Sequence, residues 1–158
     1  MKKIVFYFIT IVAFISCQDD VKFNNPSVQG LKDTVFWRAV DSQATLAANG
    51  SLTIQAYTAT EVLTLKTTST AVQTYTLGAS DSKKATYVLT NADGTKVTFL
   101  TGFGLGNGQI TITEYDAVNK TVSGTFKFNA VNSYSDPLDA ASLNYSQGVF
   151  YKVPVSAL

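Results

Sequence analysis

The chain has 158 residues, 46% apolar and 15% charged, with 12 Lys and Arg against 11 Asp and Glu, 1 Cys and no His. That length predicts one folded domain, and a formal charge of +1 offers no electrostatic footprint for nucleic acid. Without His and with a single Cys, an imidazole triad, a His/Cys zinc site, an intrachain disulfide and a paired-cysteine redox motif are all excluded.

Residues 1–16, MKKIVFYFITIVAFIS, start with Lys2 and Lys3, run apolar from Ile4 to Ile15 and end on the small Ser16. This is the pattern of a secretory signal peptide. The apolar run falls short of the roughly 18 to 20 residues that cross a bilayer, and polar Gln18, Asp19 and Asp20 follow at once. Cys17, in the context Phe14-Ile15-Ser16-Cys17, resembles the lipobox of bacterial lipoproteins. The resemblance implies that Cys17 is lipidated and becomes the first residue of the mature chain. Each buried CH2 contributes roughly 0.8 kcal/mol, so one acyl chain anchors only marginally and the several chains of a triacylated cysteine hold firmly. Gln18-Asp19-Asp20 is similar to the acidic tags that export Bacteroidota lipoproteins. An outer-membrane lipoprotein is expected, with the cell surface favoured over the periplasmic face. Residues 17–32 then read as the lipidated cysteine and a tether, because Asn24, Asn25, Pro26, Ser27 and Gly30 interrupt any sustained period.

Residues 33–158 read as a single all-β domain. Short alternating runs rich in Thr, Val, Ile, Tyr and Phe are punctuated by Asn, Asp and Gly. Strands are predicted at Val35 to Val40, Leu52 to Tyr57, Val62 to Thr67, Thr74 to Leu77, Thr86 to Thr90, Val97 to Thr101 and Gly148 to Val155. Asp93-Gly94 marks a tight turn. The strongest signal is QITITEYDAVNKTVSGTFKFNA, residues Gln109 to Ala130. Ile110 and Ile112 alternate with Thr111 and Thr113, and Val122, Gly124, Phe126 and Phe128 alternate with Ser123, Thr125 and Lys127. Placing both apolar sets on one buried face requires a loop of odd length, which favours Ala117 to Asn119 with Asn119 left-handed. Eight or nine such strands describe an antiparallel β-sandwich or a partly open barrel.

The strings GQITITEYDAVNKTVSGTFKFNAVN and SQGVFYKVPV, with FWRA and GSLTIQA before them, resemble a domain-of-unknown-function family of small Bacteroidota lipoproteins. The resemblance covers most of the mature domain and implies no catalytic residue.

Few residues are candidates for chemistry. The glycines from Gly102 to Gly108 fit no phosphate-loop spacing and read as a hairpin connection. Glu61 and Glu114 are the two glutamates, and Glu114 with Asp116 falls about 7 Å apart on one strand face, within the range of a glycosidase pair. Asn91, Asp93, Asp116 and Asn119 offer oxygens in turns without calcium-loop spacing. Tyr57, Tyr115 and Lys127 share the polar parity of their strands and form a candidate surface for a glycan or protein partner. Trp37 reads as core. Asp33-Thr34-Val35 resembles a short O-glycosylation sequon, which makes Thr34 a candidate for modification.

The expected function is a non-catalytic binding or structural module, anchored to the membrane by lipid and needing no cofactor or metal. One alternative is a carrier of a small apolar ligand in a β cavity, and the other is a carboxylate glycosidase using Glu114 and Asp116. The anchor gives the first prediction: Cys17→Ala leaves the chain unprocessed or moves it out of the membrane fraction. Asp19 and Asp20 replaced by Ala keep membrane association but lose cell-surface exposure, read by protease shaving of intact cells.

Overall fold

A computed structural model describes residues 27–133 and 140–158, and the regular structure there is all β. The readings at residues 1–16, Cys17, Gln18, Asp19 and Asp20 lie outside the described residues. Eleven strands follow in chain order: β1 Ser27–Lys32, β2 Val35–Arg38, β3 Asp41–Leu46, β4 Leu52–Tyr57, β5 Glu61–Thr67, β6 Thr74–Leu77, β7 Lys84–Thr90, β8 Lys96–Leu100, β9 Asn107–Asp116, β10 Thr121–Asn132 and β11 Ser142–Ala157. They pair in the order β2-β1-β11-β3-β4-β5-β7-β8-β10-β9-β6, with β10 and β11 also paired to each other. That extra pairing closes the sheet on itself. The last residues of β11, Val155 to Ala157, join β3 in parallel, and Val131 and Asn132 of β10 join β8. These short joints leave the closed sheet with both sandwich and barrel character, as two long strands each pass from one layer to the other.

The strand count exceeds the expected eight or nine, and the β11–β3 pairing makes the sheet mixed rather than purely antiparallel. Ser27–Lys32 is a strand paired with β11 and β2, so the tether read over residues 17–32 does not extend through these six residues. Its signal was weak because the second inward position, after Val28, is Gly30, which has no side chain to mark the alternation. The alternation in β3 buries Ser42 and Ala44, whose small side chains carry almost no apolar signal. In β11 the inward residues run Leu143, Tyr145, Phe150, Val153 and Val155, changing parity twice near Gln147 and Lys152, which both adopt positive φ. Only the stretch after the first change was legible as a strand.

The long hairpin places its faces as expected. Ile110, Ile112, Phe126 and Phe128 are buried, while Thr113, Thr125 and Lys127 are exposed. Its loop differs: Asp116 pairs with Thr121 around a four-residue turn, Ala117 to Lys120, with Lys120 rather than Asn119 left-handed. An even loop would put the two apolar sets on opposite faces. A bulge restores them, since Ser123 pairs with Glu114 but Gly124 pairs with Ile112, leaving Thr113 as the extra residue.

Between β10 and β11 the sequences Gly124-Thr125-Phe126 and Gly148-Val149-Phe150 pair crosswise, Gly124 against Phe150 and Phe126 against Gly148. Each phenylalanine ring covers the opposing glycine. A Cβ on Gly124 would lie 2.4 Å from the Phe150 ring and 2.1 Å from the Thr111 carbonyl oxygen, and one on Gly148 would lie 2.6 Å from the Phe126 ring. Gly124→Ala is therefore expected to destabilise the domain by about 3 kcal/mol, and Phe126→Ala by roughly 3 to 5 kcal/mol. Lys127→Ala, on the outer face, stays within about 0.5 kcal/mol. Denaturant midpoints of the three variants check this order.

Candidate functional site

Polar side chains gather in two places, one between the layers and one on the outer face of β9, β10 and β11. The inner cluster centres on Glu61, the first residue of β5. Its Oε1 accepts hydrogen bonds from Lys32 Nζ and from Tyr87 Oη at 2.5 Å. Its Oε2 accepts from Trp37 Nε1 at 2.6 Å and from Thr58 Oγ1 at 3.1 Å. Lys32 Nζ also donates to Tyr87 Oη at 2.8 Å and sits 5.0 Å from the centre of that ring. Only 13% of the Glu61 side chain and 25% of the Lys32 side chain reach solvent. Burial pushes the Glu61 carboxyl upward, but the hydrogen bonds from Lys32, Tyr87 and Trp37 and the Lys32 charge outweigh it, so the group lies below the usual range. Tyr87 is pushed up by burial and by its bond to Glu61.

Four donors fill the roughly four lone-pair sites of a carboxylate. Glu61 is thus held as an acceptor with no lone pair left for a substrate, and the arrangement works as a clamp. It fastens the β1–β2 hairpin, which brings Lys32 and Trp37, to β5 and β7. Trp37 is core, as expected, with its indole edge against Tyr145 at 5.6 Å between centroids. Tyr145 Oη is buried beside this cluster without a hydrogen-bond partner among the described residues.

The outer face is built differently. Asn107, Asn129 and Asn144 stand side by side on β9, β10 and β11, and all three are exposed. Asn144 Nδ2 donates to Asn129 Oδ1 at 2.6 Å, and Asn129 Nδ2 donates to Asn107 Oδ1 at 3.3 Å. Two residues along, Gln109 pairs with Lys127, opposite the irregular stretch at Gln147. Two adjoining grooves of about 500 and 270 Å³ run over this face and share Lys127. The larger holds Gln109, Thr125, Gln147 and Val149, and the smaller holds the asparagine row and Ser146. Lys127 forms no ion pair among the described residues.

The structure does not bring Tyr57, Tyr115 and Lys127 onto one surface. The hairpin bulge turns Tyr115 inward, opposite buried Val122 and packed against the core. Tyr57 lies at the end of β4, between β3 and β5, where Gln43 Nε2 donates to its hydroxyl at 3.1 Å. Lys127 alone belongs to the grooved face. Glu114 is exposed, and Asp116 closes its own turn, accepting from the backbone N–H groups of Val118 and Asn119 and from Asn119 Nδ2. The Asn119 bonds, backbone first, hold the Asp116 carboxyl below its ordinary value, the reverse of what a general acid needs. Asp93 is lowered in the same way by Thr95, to which Asn91 Nδ2 also donates. Thr34 is exposed in the two-residue turn between β1 and β2, where Asp33 and Thr34 both adopt positive φ. Gly102 and Leu105 bridge to close the glycine-rich connection, whose last two residues enter β9. The Glu61 clamp and the asparagine row escaped the sequence reading because their members are far apart in the chain. A lone Trp needing an acceptor for its N–H was a signal for the clamp, but one that any carboxylate, carboxamide or backbone carbonyl could answer.

A family model described as a domain of unknown function, DUF6252, matches residues 24–154. No curated protein and no solved structure matches the chain.

Glu61→Gln is expected to cost roughly 3 kcal/mol at neutral pH, because it strands the Lys32 ammonium in a shielded site. Since the folded carboxyl titrates below its ordinary 4.5, its stabilisation is present above that pH and disappears as pH falls through the lowered value. The stability gap between parent and variant therefore narrows in acid. Tyr145→Phe, by contrast, removes an unpaired hydroxyl and is expected to be neutral or stabilising. Chemical denaturation across pH measures all three proteins.

Proposed function

This chain belongs to the DUF6252 family, and we propose that it is a lipid-anchored envelope module that binds an oligosaccharide without acting on it chemically. The observation that carries this reading is the paired groove over β9, β10 and β11, with five carboxamides, two hydroxyls and one ammonium along it. Carboxamides both donate and accept hydrogen bonds, which suits the alternating hydroxyls and ring oxygens of a sugar chain. The interior supports binding on the outside rather than carriage within. Tyr87, Tyr145, Phe128 and Phe150 fill the space between the layers, and the two grooves open on the surface.

The anchor belongs to the same proposal. A lipidated Cys17 leaves nine residues, Gln18 to Pro26, before β1 begins at Ser27, enough to span at most about 31 Å. Among the described residues no helix is long and apolar enough to cross a membrane. Export to the surface through Gln18-Asp19-Asp20 would present the groove to polymers outside the cell.

An array of neutral and acidic oligosaccharides, probed with the full chain in detergent, tests the reading. The parent is expected to retain at least one glycan, and Gln109→Ala with Gln147→Ala to lose it by about tenfold or more at an unchanged melting temperature. A folded parent that retains none, or a double variant that binds as well, overturns it.

A further inference from the structure

Resting on that reading, we infer that the groove selects an acidic glycan, with Lys127 taking the carboxylate of a uronic-acid-type sugar and the asparagine row taking its hydroxyls. The argument starts from charge. The two grooves meet at Lys127, and their lining contains this one cation and no acid. Lys32 is already committed through its bond to Glu61, whereas Lys127 stands exposed in the groove without an ion-pair partner among the described residues. Asp33, beside Asn144, has its Oδ1 already accepting from the Asn144 backbone N–H at 2.8 Å.

The geometry adds polarity and reach. The side-chain bonds run one way, from Asn144 to Asn129 to Asn107, so the Asn107 carboxamide keeps both of its N–H groups for a ligand. Those N–H groups lie on the strand beside Lys127, where an anionic or acceptor-rich sugar edge would meet both the Asn107 donors and the Lys127 ammonium. From Thr125 to Asn129 the face extends about 13 Å along β10 at roughly 3.3 Å per residue, the size of a short oligosaccharide segment. The bonds from Asn144 to Asn129 to Asn107 hold those three side chains in position, which lowers the ordering cost of binding along the row.

Titration calorimetry with a galacturonate oligomer and a galactose oligomer of equal length decides the matter, using the full chain in detergent. The acidic oligomer is expected to bind at least about tenfold tighter, with a preference that falls as salt rises. Lys127→Met should abolish the preference and leave the melting temperature unchanged, and Asn129→Ala should weaken the acidic oligomer without removing the preference. Equal affinity for the two oligomers, lost in the Gln109→Ala, Gln147→Ala variant, overturns the acidic selectivity and leaves the binding module standing. A preference that survives Lys127→Met also overturns it. Binding of neither oligomer overturns it too, and the array then decides separately whether the binding reading falls.

Discussion

Phe126 lies over Gly148 and Phe150 over Gly124, and the rest of the molecule is organised around this double contact. Each glycine is needed because the opposing ring and a backbone oxygen occupy the volume where a side chain would start. The contact sets the β10–β11 register at a point where neither strand can slip, since a slip of one residue would turn every ring outward. Both strands then continue past it and change layers, β11 to meet β3 and β10 to meet β8. The bulges beside the contact serve the same end. They let strands of twelve and sixteen residues bend around the core while returning aromatic side chains to the inside.

Aromatic packing spreads from there. Tyr145 touches Phe126, Phe128, Tyr87 and Trp37, with centroids between 5.1 and 6.1 Å apart. Apolar packing of this kind is strong but indifferent to direction. The Glu61 clamp supplies direction: it demands one position of the β1–β2 hairpin, in which an ammonium and an indole N–H reach the same carboxylate. Such a shielded pair adds little net stability over an apolar replacement, yet losing one partner is costly because the other remains buried and charged. The hairpin that carries Lys32 and Trp37 includes an edge strand, the element with fewest neighbours to hold it.

The outer face inherits its order from the inner one. Because Phe126 and Phe128 point inward at a fixed register, Lys127 and Asn129 point outward at the same register, beside Gln109 and Asn107. A row of three carboxamides on three strands therefore follows from packing on the opposite side of the sheet. This links the proposed binding face to the core: the register that packs Phe126 and Phe128 inward is the one that aligns the outer side chains.

Alternation of apolar and polar residues is local, and whatever depended on it alone was legible in the sequence. The all-β class, the buried faces of the long hairpin, the Asp93-Gly94 turn and the inward Trp37 all follow from neighbours within a few positions. Tyr115 shows where that logic stops, because one bulge at Thr113 reverses the parity beyond it, and a bulge is set by the partner strand. The strand at Ser27–Lys32 was hidden for a similar reason, its pairing with β11 coming from residues more than a hundred positions away. Glu61 looked like any strand-end carboxylate until Lys32, Trp37 and Tyr87 converged on it from three other strands. The asparagine row likewise exists only because three strands align. Side-chain type and period act along the chain, whereas the hydrogen-bond partners of a carboxylate or a carboxamide are chosen across it, so the faces were written in the sequence and the sites were decided by tertiary structure.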